Sequence, residues 1–146
     1  MFAPMPDQPR FVEDYLLYLL ARASHDASAG FHARLKARGV PVPVWRVVAT
    51  LHGAAGGEVV GALAAACLMQ QPTMTKLLDR MEEEGLVRRR REGRQTRVTL
   101  TASGAHLAGE LIPMARAHEA ELLARAEEAP ALKALLRGMI APSASG

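Results

Sequence analysis

The chain has 146 residues, 49% of them apolar and 23% charged, with a mean hydropathy of +0.02; this is the balance of one globular domain and excludes a disordered or membrane-embedded chain. Aromatic residues make up only 4%, so the core must be aliphatic, and the abundance of Ala, Leu and Met predicts a mostly helical fold. A net charge of +3 and a pI of about 9.5 hint mildly at an anionic partner, while the single cysteine, Cys67, excludes an intrachain disulfide and fits a reducing compartment.

No uninterrupted apolar run approaches the roughly 20 residues of a membrane span. Met1–Pro9 carries three prolines and an acid and lacks the basic-then-apolar order of a signal peptide, so the expected location is cytoplasmic, with no membrane partner. From Phe11 to Arg38, Val12, Leu16, Leu19, Ala23, Ala27, Phe31 and Leu35 recur at helical spacing, although Gly30 weakens the middle of that helix. Gly39 is a stop signal, and Pro41 and Pro43 mark a connector. Pro43 can open a second helix to about His52, with Val44, Val47, Val48 and Leu51 inward. Gly53, Gly56 and Gly57 form a loop before a short alanine-rich helix, Val59 to Cys67.

Met69-Gln70-Gln71-Pro72 then starts a fourth helix to Glu84, with Met74, Leu77, Leu78 and Met81 on its core face and Gly85 past its end. After Gly85 the period changes to two. Val87 to Leu100 is expected to be a β-hairpin with Glu92-Gly93-Arg94-Gln95 as its turn. Thr101 is a good N-cap for a long helix to about Ala126 with Leu107, Leu111, Met114, His118 and Leu122 on one face. Pro113 inside it predicts a kink and not a break. A final helix contains Leu132, Leu135, Leu136 and Met139, and the tail Pro142–Gly146 is expected to fray.

Helix, turn, helix and then a basic hairpin is the order of a winged helix-turn-helix, and the charge distribution fits it. Arg88, Arg89, Arg90, Arg91, Arg94 and Arg97 fall within ten residues, opposed there only by Glu92. The fourth helix offers Pro72, Thr75, Lys76, Asp79 and Arg80 opposite its core face, with Gln70, Gln71 and Thr73 around its N-terminus, where backbone N–H groups also favour phosphate. Glutamine amides suit base edges, and Thr and Lys serve bases or phosphates. Arg88, Arg90, Arg91 and Arg97 can lie along the backbone, while Arg94 at the tip can enter a narrow A·T-rich minor groove. Asp79 and Arg80 can equally form structural pairs.

Val44–Gly104 resembles the multiple-antibiotic-resistance regulator (MarR) family of bacterial transcription regulators. The resemblance rests on Val44-Trp45-Arg46-Val47-Val48, Gln70 through Met81, Glu84-Gly85-Leu86-Val87, and Arg94 through Val98 to Leu100-Thr101 with Gly104. It implies a single domain over 1–146: a winged helix-turn-helix at 43–101, and dimerisation helices at 10–39 and 102–141 that interlock with those of a second copy. Phe11, Tyr15, Leu16, Leu19, Leu122, Leu132, Leu135 and Leu136 are the expected dimer contacts. The implied function is a repressor acting as a homodimer on a palindromic operator in double-stranded DNA. The implied ligands are small aromatic or phenolic effectors in the crevice between dimerisation and DNA-binding parts, for which Tyr18, Arg22, His25 and Trp45 are candidates. Such an effector would act by changing the separation of the two recognition helices. The family's wing usually has Asp two residues before its Arg. Here Glu92 keeps that charge on a longer arm.

Two further readings use other residues. Cys67 invites a redox sensor, but free cysteine is usually buried, and peroxide-sensing members carry theirs in the first helix, which here has none. His25, His32, His52, His106 and His118 form no compact ligand pair, so neither metal nor cofactor is expected. Trp45 can equally pack a helix junction, and Glu82-Glu83-Glu84 is most simply a solvated helix end. No catalytic arrangement stands out. A winged-helix protein-interaction module and a metal or redox sensor on the same frame are the alternatives to the DNA-binding regulator.

Overall fold

The computed structural model describes residues 10–124 and 126–141. The expectations for Met1–Pro9 and for the tail Pro142–Gly146 lie outside the described residues. A 3-10 turn at Phe11–Asp14 precedes α1 (Leu16–Ala37), α2 (Val42–Leu51), β1 (Glu58–Val59), α3 (Val60–Ala66), α4 (Gln71–Glu83), β2 (Val87–Glu92), β3 (Gln95–Leu100), α5 (Ala102–Leu123) and α6 (Ala129–Met139). The fold is mainly helical with a small antiparallel wing, as the sequence predicts.

α2 is the centre of the core. Its Val44, Val47, Val48 and Leu51 are buried, and it packs on α1, α3, α4, α5 and β3. Leu63, Met74, Leu78, Met81, Val98 and Leu111 close around it without any exposed surface, so the aliphatic core expected from the composition is the one that forms. Thr101 caps α5 as expected, its hydroxyl accepting from the Gly104 N–H at 3.1 Å and donating to the Gly85 carbonyl. That pair ties the exit of the wing to the end of α4.

Three details differ from the sequence expectations. The first helix begins at Leu16 and not at Phe11. The Glu13 carboxylate accepts from the Arg10 N–H at 3.0 Å and closes a separate 3-10 turn, after which Tyr15 is extended. The hairpin gains a third strand: Glu58 pairs with Val98 and Val59 with Arg97, giving the order β1-β3-β2. α5 ends at Leu123, short of Ala126; as the sequence predicts, Pro113 does not break it, and that residue lies on its exposed side. Gly30 does not interrupt α1, and it faces α5. A Cβ there would stand 3.0 Å from the His118 ring, whose Nε2 donates to the Ala27 carbonyl at 2.7 Å. Ion pairs Arg34–Glu121 at 3.3 Å and Arg38–Glu110 at 2.5 Å continue the same seam.

The turn into α4 carries a backbone outlier. The Leu68 N–H donates to the Ala65 carbonyl at 3.2 Å and the Met69 N–H to the Ala64 carbonyl at 2.9 Å, the paired closure of a helix end whose next residue is left-handed. That residue is Leu68, with φ 59, the one non-glycine with positive φ among the described residues. A leucine held there costs about 1–2 kcal/mol relative to a right-handed backbone.

The apolar face expected for α1 is buried only at its C-terminal end, at Phe31 and Leu35. Phe11, Val12, Tyr15, Leu16, Leu17 and Leu19 are exposed, as are Leu122 of α5 and Leu132, Leu135, Leu136, Met139 and Ile140 in and after α6. α6 buries no residue, and an ion pair from Lys133 to Glu119 at 2.9 Å ties it to α5.

Candidate nucleic-acid interface

α4 is amphipathic because Met74, Leu78 and Met81 recur every three or four residues and bury against α2 and α3. The opposite face is therefore solvated: Thr73, Thr75, Lys76, Asp79 and Arg80 are exposed, with Gln70 and Gln71 at the N-terminus. Gln70, the N-cap, makes no side-chain cap bond, so the first-turn N–H groups stay open to an external acceptor such as phosphate. The Thr75 hydroxyl donates to the Gln71 carbonyl at 3.1 Å and keeps its lone pairs for a second partner. Arg80 pairs with Glu84 at 3.3 Å, the structural pairing that the sequence left open.

The wing splits the arginine run by strand alternation. Val87, Arg89 and Arg91 stand opposite Leu100, Val98 and Thr96 on the face turned toward α4; Arg88, Arg90 and Glu92 stand opposite Thr99, Arg97 and Gln95 on the other. Arg89 is held. Its Nη2 lies 2.7 Å from Asp79 and 3.2 Å from Glu82, and its backbone N–H donates to Glu82 at 2.9 Å. The hydrogen bonds from the Arg89 side chain and backbone hold the Glu82 carboxyl below its ordinary range. Arg89 thus clamps the base of the wing onto α4.

Arg97 is also engaged. Its Nε lies 2.9 Å from Glu92, and its Nη1 donates to the carbonyls of Gly56 and Gly57 at 3.4 Å. Glu92 therefore reaches a wing arginine despite its longer arm. Arg88, Arg90, Arg91 and Arg94 form no ion pair among the described residues. Arg91 donates to the Gly93 carbonyl at 3.1 Å across a tight turn in which Gly93 takes φ 61 and Arg94 sits at the tip.

These elements enclose a concavity of about 830 Å³ between α4 and the wing, lined by Gln71 and Thr75 on one side and Arg89, Arg91, Arg94 and Gln95 on the other. A second, of about 640 Å³, lies on the reverse face among Arg88, Arg90, Glu92 and Arg97. Both walls of the larger one carry groups that bind phosphate or base edges, and its cationic wall is free of competing acids at Arg91 and Arg94.

The effector candidates are only partly brought together. Arg22 donates to the Tyr18 hydroxyl at 2.8 Å, lies over its ring at 5.7 Å, and pairs with Asp26 at 3.9 Å. His25 is exposed on the same helix. Trp45 packs edge-on against Phe31 at 5.1 Å, with His118 on another side of that phenyl ring, a helix junction of α1, α2 and α5. No hydrogen bond joins Trp45 or His25 to the Tyr18–Arg22 pair among the described residues. Cys67 is buried beside Thr50, and burial pushes its thiol pKa up, the opposite of an activated thiolate. Among the described residues no group of three or more His, Cys, Asp and Glu is placed to hold a metal ion, and no helix is long and apolar enough to cross a membrane.

The MarR family model matches residues 38–97, the span from just past α1 into β3 of the wing. The crystal structure of a MarR-family transcriptional regulator from Silicibacter pomeroyi DSS-3 is 40% identical, covers 90% of this chain and 100% of its own, and superposes with a TM-score of 0.78. This chain belongs to the MarR family. It is a DNA-binding transcriptional regulator, and the MarR family is one of regulators and not of enzymes. A second MarR-family regulator from Silicibacter pomeroyi is 30% identical over 88% of this chain and 89% of its own, with a TM-score of 0.77. The MarR-like fold is also shared with NadR, whose structure is a complex with 4-hydroxyphenylacetate, at 27% identity over 92% and 97% of the two chains and a TM-score of 0.72. A comparison with curated protein sequences gave no match.

Sequence reasoning missed β1 and the holding of Arg89. Two residues, Glu58 and Val59, are too short a run to show alternation. Arg89 had a legible signal, since Asp79 and Glu82 stand three apart on the exposed side of the preceding helix.

Proposed function

We propose that this regulator is a repressor that binds a palindromic operator as a homodimer. The observation that carries the proposal is the concavity between α4 and the wing, with polar groups on one wall and unpaired arginines on the other. Gln70, Gln71, Thr73, Thr75 and Lys76 read or position on the major groove, and Arg94 enters the adjacent minor groove. Arg91, on the inner face, and Arg88 and Arg90, on the outer face, take phosphates on either side of the wing. Arg97 braces the wing through Glu92, and Arg80 supports α4 through Glu84.

The second copy covers the exposed leucines of α1 and α6, which a monomer would leave in water. In this organisation 43–101 is the DNA-binding part, and 10–39 with 102–141 forms the dimerisation part. NadR's complex with 4-hydroxyphenylacetate supports a small aromatic acid as effector, held near Tyr18, Arg22, His25 and Trp45. The effector selects a spacing of the two recognition helices that the operator does not accept.

Footprinting on the chain's own upstream intergenic DNA, with sedimentation of the free protein, tests this. The expected result is a species of twice the chain mass and two protected half-sites about one helical turn apart, released by an aromatic acid. A monomer, or protection without twofold symmetry, contradicts it. No protection of any duplex would favour a protein-interaction module.

A further inference from the structure

Leu68 violates two local rules at once. It is a leucine in the left-handed region, where the closure of α3 would accept glycine without strain, and it is 82% exposed, so it gains almost no burial in return. A strained position without a packing reward is where a functional contact is to be sought. The proposed dimer does not account for it. The other exposed large apolar residues lie before or within the first half of α1, at the end of α5, or in and after α6. Leu68 instead follows α3, which packs on α2, α4, β1 and β3. It stands two residues before Gln70, in the turn that delivers the exposed N-terminus of α4.

We propose that Leu68 is a specificity-determining residue whose side chain packs on the C5 methyl of a thymine in each half-site. The inference rests on the DNA-binding reading above. The methyl group is the apolar feature that the major groove offers, and only A·T pairs carry it. A hydrogen-bonded turn that presents an apolar side chain two residues before Gln70 can distinguish thymine where amide and hydroxyl groups alone read hydrogen-bond patterns. The left-handed backbone sets the direction of the Cα–Cβ bond that projects this exposed side chain, so the strain and the exposure have one explanation.

The test selects a preferred site from a random duplex library with the unaltered protein, then replaces each thymine by uracil, which removes the methyl alone. The expected result is one symmetric pair of thymines whose replacement weakens binding about fourfold per half-site, the value of one buried methyl group. Leu68→Gly should bind more weakly, show no effect of uracil at that pair, and melt at a higher temperature, which separates lost contact from lost folding. Leu68→Met, which keeps an apolar side chain, should retain the sensitivity. A selected site on which native protein and Leu68→Gly respond alike to uracil overturns the inference and leaves the DNA-binding reading intact. Enrichment of no duplex overturns both.

Discussion

Gly104 shows how closely single residues are constrained at the joint between wing and helix. It is the third residue of α5, a position where helix propensity alone favours alanine, yet a Cβ there would run into the Leu86 carbonyl oxygen and stand 3.0 Å from Leu100 Cδ2. That carbonyl also accepts the Thr101 N–H at 3.1 Å, so neither partner is free to move. Gly104→Ala is expected to destabilise the protein by about 1–3 kcal/mol in urea denaturation at fixed protein concentration. Gly109→Ala, in the same helix with open space around it, should be neutral or stabilising by up to about 1 kcal/mol. Equal effects of the two substitutions would show that helix propensity and not close approach governs the site. The same scale explains why Cys67 is a poor sensor candidate: its thiol is shielded, with the Thr50 hydroxyl 3.6 Å away, and burial raises its pKa.

At the scale of elements, the wing is a lever clamped at its base by Arg89 between Asp79 and Glu82 of α4. Because the folded state holds the Glu82 carboxyl below its ordinary value, the clamp contributes fully at and above neutral pH. It is lost as pH falls below the ordinary glutamate range and through the lowered folded value. Glu82→Gln should therefore lower stability by less than about 1 kcal/mol at pH 7, as befits a pair still open to solvent, and converge with the unaltered protein under acid conditions. A constant difference across that range would place the effect elsewhere. The helices and their order were legible because Met74, Leu78 and Met81, or Val44, Val47 and Val48, mark one face without ambiguity. The arginine run was legible as a charge but not as two faces, since which of Arg88 to Arg91 turns toward α4 depends on register with β3. The first turn differs for a related reason: the Phe11–Asp14 residues continue the helical period, and the extended backbone at Tyr15 separates them from α1.

At the scale of the whole molecule, a single copy leaves apolar helix faces uncovered among the described residues. α6 buries nothing, and the leucines along α1 and α6, which recur at helical spacing and which the family resemblance gives as dimer contacts, meet water within one chain. Periodicity tells which residues share a face but not whether the same chain or another covers it. A second copy on that surface would fix two α4 helices and two arginine wings at a set spacing, and affinity for DNA would follow from how many phosphates those wings engage at once. The most direct measurement is therefore operator binding by the purified protein across a salt series, with Arg94→Ala alongside. The account predicts tight binding that falls by about 10³–10⁵ between 50 and 200 mM salt, the loss expected for roughly 6–10 phosphate contacts, with clear weakening in the variant. Weak binding that is flat in salt, the same on scrambled DNA and indifferent to Arg94, would contradict it.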